Sequence, residues 1–161
     1  MYEKNGDKIG ILSCHEYLGY VSGQEENYPD ALNHYHASLD LSKEIGSKKF
    51  ILSNNQFIGE IYTLTKQYAE ARQYSEEALS AALELGNKQS ITDIYSDLAD
   101  LETAIGNHEE ALKNYKLYMV YKDSLLNESS NQQISQLKEQ YESEKKDKEI
   151  LQLTSDKQQL E

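Results

Sequence analysis

The sequence is poor in the residues that interrupt helices or cross-link chains. Its 161 residues include one proline, eight glycines and one cysteine. So few helix-breaking residues favour long helices and argue against a β-sandwich, which needs many tight turns. The single cysteine, Cys14, excludes an internal disulfide and a zinc site built from several cysteines.

Long apolar runs and basic residues are scarce as well. No apolar run approaches the roughly 18 residues of a membrane span, and residues 1–7 do not have the composition of a signal peptide. Lys and Arg number 16 against 28 Asp and Glu, which gives a formal net charge of −12. Because an acidic surface repels phosphate backbones, we expect no direct binding to nucleic acid.

The chain repeats itself with a period of 40 residues. Aligning the chain with itself at this offset gives three copies without a gap, which is the pattern of a repeat architecture. Apolar or small residues then share the same columns: Ile11, Ile51 and Ile91; Leu18, Ile58 and Leu98; Gly19, Gly59 and Ala99; Ala31, Ala71 and Ala111; Leu39, Leu79 and Met119. We number the copies as repeat 1 (about residues 8–47), repeat 2 (48–87) and repeat 3 (88–126).

Each repeat is predicted to form two helices. In repeat 2, the first helix carries apolar residues at helical spacing, namely Ile51, Ile58, Ile61 and Tyr62. The polar residues 65–67 form the joint to a second apolar stripe, and Gly86 ends that helix as a left-handed residue. Small residues in the columns of Gly59 and Ala71 allow the two helices of a pair to approach closely. A single pair cannot bury its apolar face, so we expect the pairs to stack.

The repeats resemble the tetratricopeptide (TPR) repeat. Repeat 1 has Leu18-Gly19, Tyr28, Ala31 and Tyr35 in the order that is typical of that family. The resemblance covers residues 8–126 and implies an all-α, TPR-like α-solenoid of three helix-turn-helix pairs. The period exceeds the usual ~34 residues, the family's Trp and closing Pro are absent, Ser75 replaces an expected aromatic, and Glu102 stands in the column of Tyr62.

The resemblance also implies a binding surface. In TPR arrays the first helix of each pair lines a concave groove that holds extended peptides or partner helices. The corresponding residues are Ser13, Glu16 and Tyr20 in repeat 1, Ser53, Gln56 and Glu60 in repeat 2, and Asp93, Ser96, Asp97 and Asp100 in repeat 3. None is Lys or Arg, so the carboxylate clamp of the chaperone-binding members is missing. The acidic residues favour a basic or neutral protein or peptide partner, and an ordinary solvated acidic face is the alternative.

Residues 127–161 differ from the repeats because they contain no Gly, no Pro and few apolar residues. Two short runs have helical spacing: Ile134, Leu137 and Tyr141, then Ile150, Leu153 and Leu160. These runs predict a long charged C-terminal helix. It is either a single solvated helix or a weak coiled coil that forms a homodimer.

The C-terminal part contains Tyr121-Lys122-Asp123-Ser124-Leu125 followed by Gln140-Tyr141-Glu142-Ser143-Glu144-Lys145-Lys146. These two segments, within residues 121–146, are similar to the region that follows 40-residue TPR repeats in bacterial sensor histidine kinases and related transcriptional regulators. This resemblance implies the sensing module of a bacterial two-component or related signal-transduction protein. Binding would be relayed through the C-terminal helix to an output domain outside this chain, with the array either periplasmic or cytoplasmic. A free-standing TPR scaffold or adaptor is the alternative. A terminal repeat needs a polar cap, so the abrupt start near Met1 predicts further repeats before it.

No set of residues in the sequence has the spacing of a catalytic or metal site. His34 and His36 are two residues apart, so a helix points their rings in different directions and we expect two separate surface histidines. No carboxylate is expected beside an apolar pocket that would raise its pKa. We therefore predict a non-enzymatic chain without cofactor or metal.

Overall fold

The computed structural model describes residues 2–158, with side chains described for residues 7–150. Within that range the chain forms helices joined by short turns, without a β-strand. The six helices are α1 (Tyr2–Gln24), α2 (Tyr28–Ile45), α3 (Lys48–Leu64), α4 (Tyr68–Leu85), α5 (Lys88–Ile105) and α6 (His108–Gln158). The predicted all-α fold with two helices per repeat is confirmed.

The joints lie where the sequence predicts them. Helix α3 ends at Leu64 and α4 begins at Tyr68, so residues 65–67 are the joint. Gly86 ends α4 with a φ of +64°, and Gly46 and Gly106 end their helices in the same left-handed conformation. Each of these glycines donates its N–H back to carbonyls of the last helical turn. The backbone groups that a helix end exposes are thereby satisfied.

Close approach of paired helices explains the columns of small residues. A Cβ atom on Gly19 of α1 would lie 3.0 Å from the ring of Tyr35 on α2. A Cβ atom on Gly59 of α3 would lie 3.1 Å from the Ser75 hydroxyl on α4. Ala71 is fully buried at the same crossing. Larger side chains in these columns would force the helices apart.

The apolar core lies between successive repeats as well as within them. At the α2–α3 interface, Tyr35 stacks on Phe57 with ring centroids 4.9 Å apart, and Leu39 and Ile58 belong to the same buried cluster. A second cluster joins α3 and α4 to α5. Neighbouring repeats therefore bury each other's apolar faces, which is the predicted stacking.

The α4–α5 interface contains an ion pair, unexpected from the sequence, between a buried carboxylate and a partly exposed guanidinium. The Arg72 Nε and Nη2 atoms donate to the two carboxylate oxygens of Glu102 at 2.6 and 2.7 Å. Asn107 Nδ2 adds a third hydrogen bond at 3.0 Å. In the preceding repeat the same two columns hold Leu32 and Tyr62, which both pack against one apolar cluster. Glu102 in the column of Tyr62 thus goes together with Arg72 in the column of Leu32.

Helix α6 continues through residues 127–130 without a break. The chain divides into two compact units, of which the first is residues 1–122 and the second is residues 123–161. Its apolar side chains Ile134, Leu137, Tyr141 and Ile150 are exposed, whereas those of Leu153 and Leu160 lie outside the described side chains. Over the described part of the chain, none of the helices combines the length and apolar character needed to cross a bilayer.

Candidate functional site

A pocket of about 490 Å³ is lined by residues of α3, α4 and α5. Phe57, Leu64 and Ile94 give it an apolar lining. Five of the predicted binding residues also line it: Ser53, Gln56, Glu60, Asp97 and Asp100. The pocket can therefore accommodate an apolar side chain with a cationic or hydrogen-bonding group beside it.

A second pocket of about 280 Å³ adjoins the first on the side of α1. It is lined by Tyr20, which is also a predicted binding residue, and by Tyr28 and Tyr35. The two pockets share Phe57, Glu60 and Leu64. We call this continuous pair of pockets the groove.

Four other predicted residues do not line the groove, namely Ser13, Glu16, Asp93 and Ser96. Glu16 accepts a hydrogen bond from the Ser53 hydroxyl at 2.6 Å, which links α1 to α3. Asp93 accepts one from Gln89 Nε2 at 2.9 Å on its own helix. Ser13 is exposed on α1 and Ser96 is half-buried on α5. Five of the seven acidic, amide and tyrosine residues in the prediction thus line the groove, and Glu16 and Asp93 do not.

The larger pocket exists because two bulky side chains are replaced. At the α2–α3 interface, the stacked rings of Tyr35 and Phe57 fill the space between repeats. The same two columns at the α4–α5 interface hold Ser75 and Asp97, and both line the pocket. In the sequence, Ser75 is visible only as a departure from the family pattern. The structure shows that this departure, together with Asp97, leaves an opening.

Asp97 has a raised pKa, contrary to the expectation that no carboxylate lies against an apolar pocket. Its side chain is open to solvent on one side, but the groove wall replaces much of its hydration. This desolvation, followed by the negative charges of Asp93, Glu60 and Asp100, raises the pKa of Asp97 to about 6. The acidic wall of the groove therefore becomes less negative as the pH falls through about 6.

The expectation of two separate surface histidines is wrong for His34. Its Nδ1 atom lies 3.0 Å from Nδ1 of His15 on α1, and its Nε2 atom lies 3.9 Å from Asp30. His36 packs edge-on against Tyr74, and burial lowers its pKa. Spacing along α2 could not reveal the first contact because it joins two helices. Across the residues with described side chains, no group of three or more His, Cys, Asp or Glu is placed to bind a metal.

Helix pairs at a fixed period, with small residues at each crossing and apolar interfaces between pairs, define a TPR-like α-solenoid. The family model described as tetratricopeptide repeat matches residues 50–119, which include most of α3, all of α4 and α5, and the start of α6. All residues that line the larger pocket of the groove lie within the matched segment.

The fold is also similar to a solved structure, the TPR domain of Arabidopsis FLU. The TM-score is 0.68 at 21% sequence identity, over 73% of this chain and 98% of that chain. At this identity the likeness shows the fold alone, and it confirms the predicted TPR-like solenoid. No curated protein matches the sequence. The resemblance of residues 121–146 to bacterial sensor proteins is not confirmed by these comparisons and stays a prediction.

Proposed function

We propose that this chain is a non-enzymatic protein-interaction module that binds an extended peptide segment in the groove. The observation that carries the proposal is the pocket at the α4–α5 interface, where Ser75 and Asp97 leave open the space that Tyr35 and Phe57 fill one repeat earlier. An apolar side chain of the peptide would contact Phe57 and Ile94. Burial of that side chain supplies the main favourable free energy of binding.

The charge of the groove favours a basic or neutral partner. Glu60, Asp97 and Asp100 line the larger pocket, whose lining includes no Lys or Arg. A lysine or arginine next to the apolar anchor would be attracted by all three carboxylates, whereas an acidic peptide would be repelled. The raised pKa of Asp97 adds to this preference because a bound cation favours its ionised form.

For the wider role, we propose that the module is the sensing part of a bacterial signal-transduction protein. The support is the resemblance of residues 121–146 to such proteins and the continuity of α6 from residue 108 to residue 158. A continuous helix can transmit a displacement from a repeat to a distant domain. A scaffold or adaptor that only brings partners together fits the groove equally well.

Binding in the groove is tested with short labelled peptides in which leucine alternates with lysine, glutamine or glutamate. Fluorescence anisotropy should give the tightest binding for the lysine series and the weakest for the glutamate series. The double variant Glu60→Lys/Asp100→Lys should weaken binding of the lysine series about tenfold or more, because each reversed charge is worth about 1 kcal/mol near a cation.

A matched control places the same charge change away from the groove. Glu70 and Glu109 are exposed on α4 and α6 and line neither pocket. The variant Glu70→Lys/Glu109→Lys should bind the lysine series nearly as well as the wild type. Equal loss in both double variants would show a general charge effect and would count against the groove.

The C-terminal segment has its own test. Its exposed residues Ile134, Leu137 and Tyr141 are spaced to form an apolar stripe that a second helix could cover. If this segment forms the proposed coiled-coil homodimer, deletion of residues 128–161 should halve the mass measured by light scattering at low protein concentration. The same mass relative to chain length before and after deletion would exclude the coiled coil.

A further inference from the structure

The outer face of α1 is exposed at positions that are buried in the following repeats. Leu18 is 45% exposed, whereas Ile58 in the same column is fully buried. Ile11 is exposed although Ile91 is buried, and Cys14 is exposed although Ile94 is buried. These residues lie together on one open face of α1.

In repeats 2 and 3, the second helix of the preceding repeat covers this face. Helix α2 covers α3 through Tyr35 and Leu39, which share a buried cluster with Ile58. Helix α4 covers α5 through Ala78 and other small residues, which share a cluster with Ile91, Ile94 and Leu98. The α2–α3 and α4–α5 interfaces therefore each give an example of a helix that packs on the face equivalent to that of α1.

A helix face similar to the one that α2 packs on α3 is present at the other end of the repeats. The first part of α6, residues 108–122, is the counterpart of α2 and α4 in repeat 3. Tyr115, Leu112 and Met119 occupy the columns of Tyr35, Leu32 and Leu39. Tyr115 is 52% exposed, whereas Tyr35 is only 3% exposed. This face of α6 carries the same kinds of side chain as the covering face of α2, whereas α4 has Arg72, Ser75 and Leu79 in these columns. Within residues 7–122 no helix packs on this face of α6 as α3 packs on α2.

We propose that copies of this chain associate head to tail, with residues 108–122 of one copy packed on α1 of the next as α2 packs on α3. The repeat alignment specifies a central contact. Tyr35 and Phe57 stack across the α2–α3 interface, and the corresponding pair is Tyr115 of one copy and Tyr17 of the next. Both of these tyrosines are exposed in the single chain.

A contact of this kind joins two different surfaces, so each bound copy still presents one free face of each kind at the ends. Association is therefore open-ended and increases with protein concentration. The net charge of −12 opposes it at low salt, and screening by added salt strengthens it. Both halves of the interface are carried by this sequence, which is why a second copy is the proposed occupant.

The test uses two variants of the full chain, each with one altered face. Leu18→Glu places a charge on the α1 face, and Leu112→Glu places one on the α6 face. Both residues are exposed, so circular dichroism should show unchanged helicity. Sedimentation velocity at moderate salt should show a mass that rises with concentration for the wild type and a constant mass for each variant alone. An equimolar mixture should give species of twice the mass of either variant, since each supplies the face that the other lacks.

The exposed Leu83 on α4 provides the matched control. Leu83→Glu should associate like the wild type, because its side chain belongs to neither face. A second measurement reports the contact itself: in a Cys14→Ser background, a short bismaleimide should cross-link Tyr17→Cys to Tyr115→Cys, and should not cross-link either variant to itself.

Three results would overturn the proposal. A wild-type mass that is independent of concentration would show that the α1 face is covered by something other than a second copy, such as a further repeat. Loss of association in Leu18→Glu but not in Leu112→Glu would indicate a symmetric contact between α1 faces. An unchanged mass on mixing, without the Tyr17→Cys to Tyr115→Cys cross-link, would exclude the head-to-tail arrangement.

Discussion

The ion pair between Arg72 of α4 and the buried Glu102 of α5 gives a quantitative prediction about stability. Removing Arg72 leaves the carboxylate of Glu102 buried without its partner, and breaking such a pair costs about 3–5 kcal/mol. The Arg72 side chain is 39% exposed, so water can partly replace it, and the Asn107 hydrogen bond remains. We therefore expect a loss near the lower limit for Arg72→Leu, about 3 kcal/mol, which corresponds to a decrease in Tm of roughly 6–12 °C for a chain of this size.

The equivalent positions one repeat earlier suggest a second substitution that should restore the lost stability. One repeat earlier, the two columns contain Leu32 and Tyr62, and both are accommodated in an apolar cluster. The double variant Arg72→Leu/Glu102→Tyr copies that pair, so its stability should return to within about 1 kcal/mol of the wild type, because replacing a whole buried ion pair by apolar residues is often neutral. Urea titrations followed by circular dichroism measure both effects. A single variant within about 0.5 kcal/mol of the wild type, or a double variant that is no better than the single one, would refute the reasoning.

Two further predictions follow from the helix crossing and from the groove. Gly19→Ala should lower stability by about 1 kcal/mol, because its Cβ would lie 3.0 Å from the buried Tyr35 ring. Gly10→Ala, whose Cβ would meet nothing within 4 Å, should raise stability by about 0.5–1 kcal/mol. Thermal melts compare the two variants, and equal effects would contradict the packing argument. Binding of the lysine peptide should strengthen as the pH rises through about 6, since the raised pKa of Asp97 must fall when a cation binds beside it. Asp97→Asn should flatten this part of the pH profile, and an unchanged profile would assign the titration to another group.

The repeat fold could be predicted because its determinants are local or periodic. The period, the glycines that end helices and the small residues at crossings such as Gly59 each act within one helix or one pair. Contacts across an interface between repeats were missed for the same reason. Arg72 with Glu102, and Ser75 opposite Asp97, lie on different helices at separations that are not helical spacings. Periodicity identifies the face of a helix that is buried, but it does not identify the residue that faces it from the next repeat.

For the groove as well, the residues along one helix were predictable, whereas the cause of the pocket between two helices was not. The family positions led to Gln56, Glu60, Asp97 and Asp100, and the structure brings these four residues together around one pocket. Their role in binding stays a prediction. The cause of the pocket lies in the missing ring of Ser75, which the sequence shows only as a substitution. A missing side chain predicts a pocket only when the residue that would have contacted it is known.

The most direct test of the account is to fill the pocket with the side chains that fill the preceding interface. In the variant Ser75→Tyr/Asp97→Phe, the new rings should stack as Tyr35 and Phe57 do, and stability should be retained or raised. The account predicts that this variant loses binding of the lysine peptide to a greater extent than Asp97→Asn, which removes the charge but leaves the space. A filled variant that is folded and binds the peptide as tightly as the wild type would contradict the claim that this pocket is the binding site.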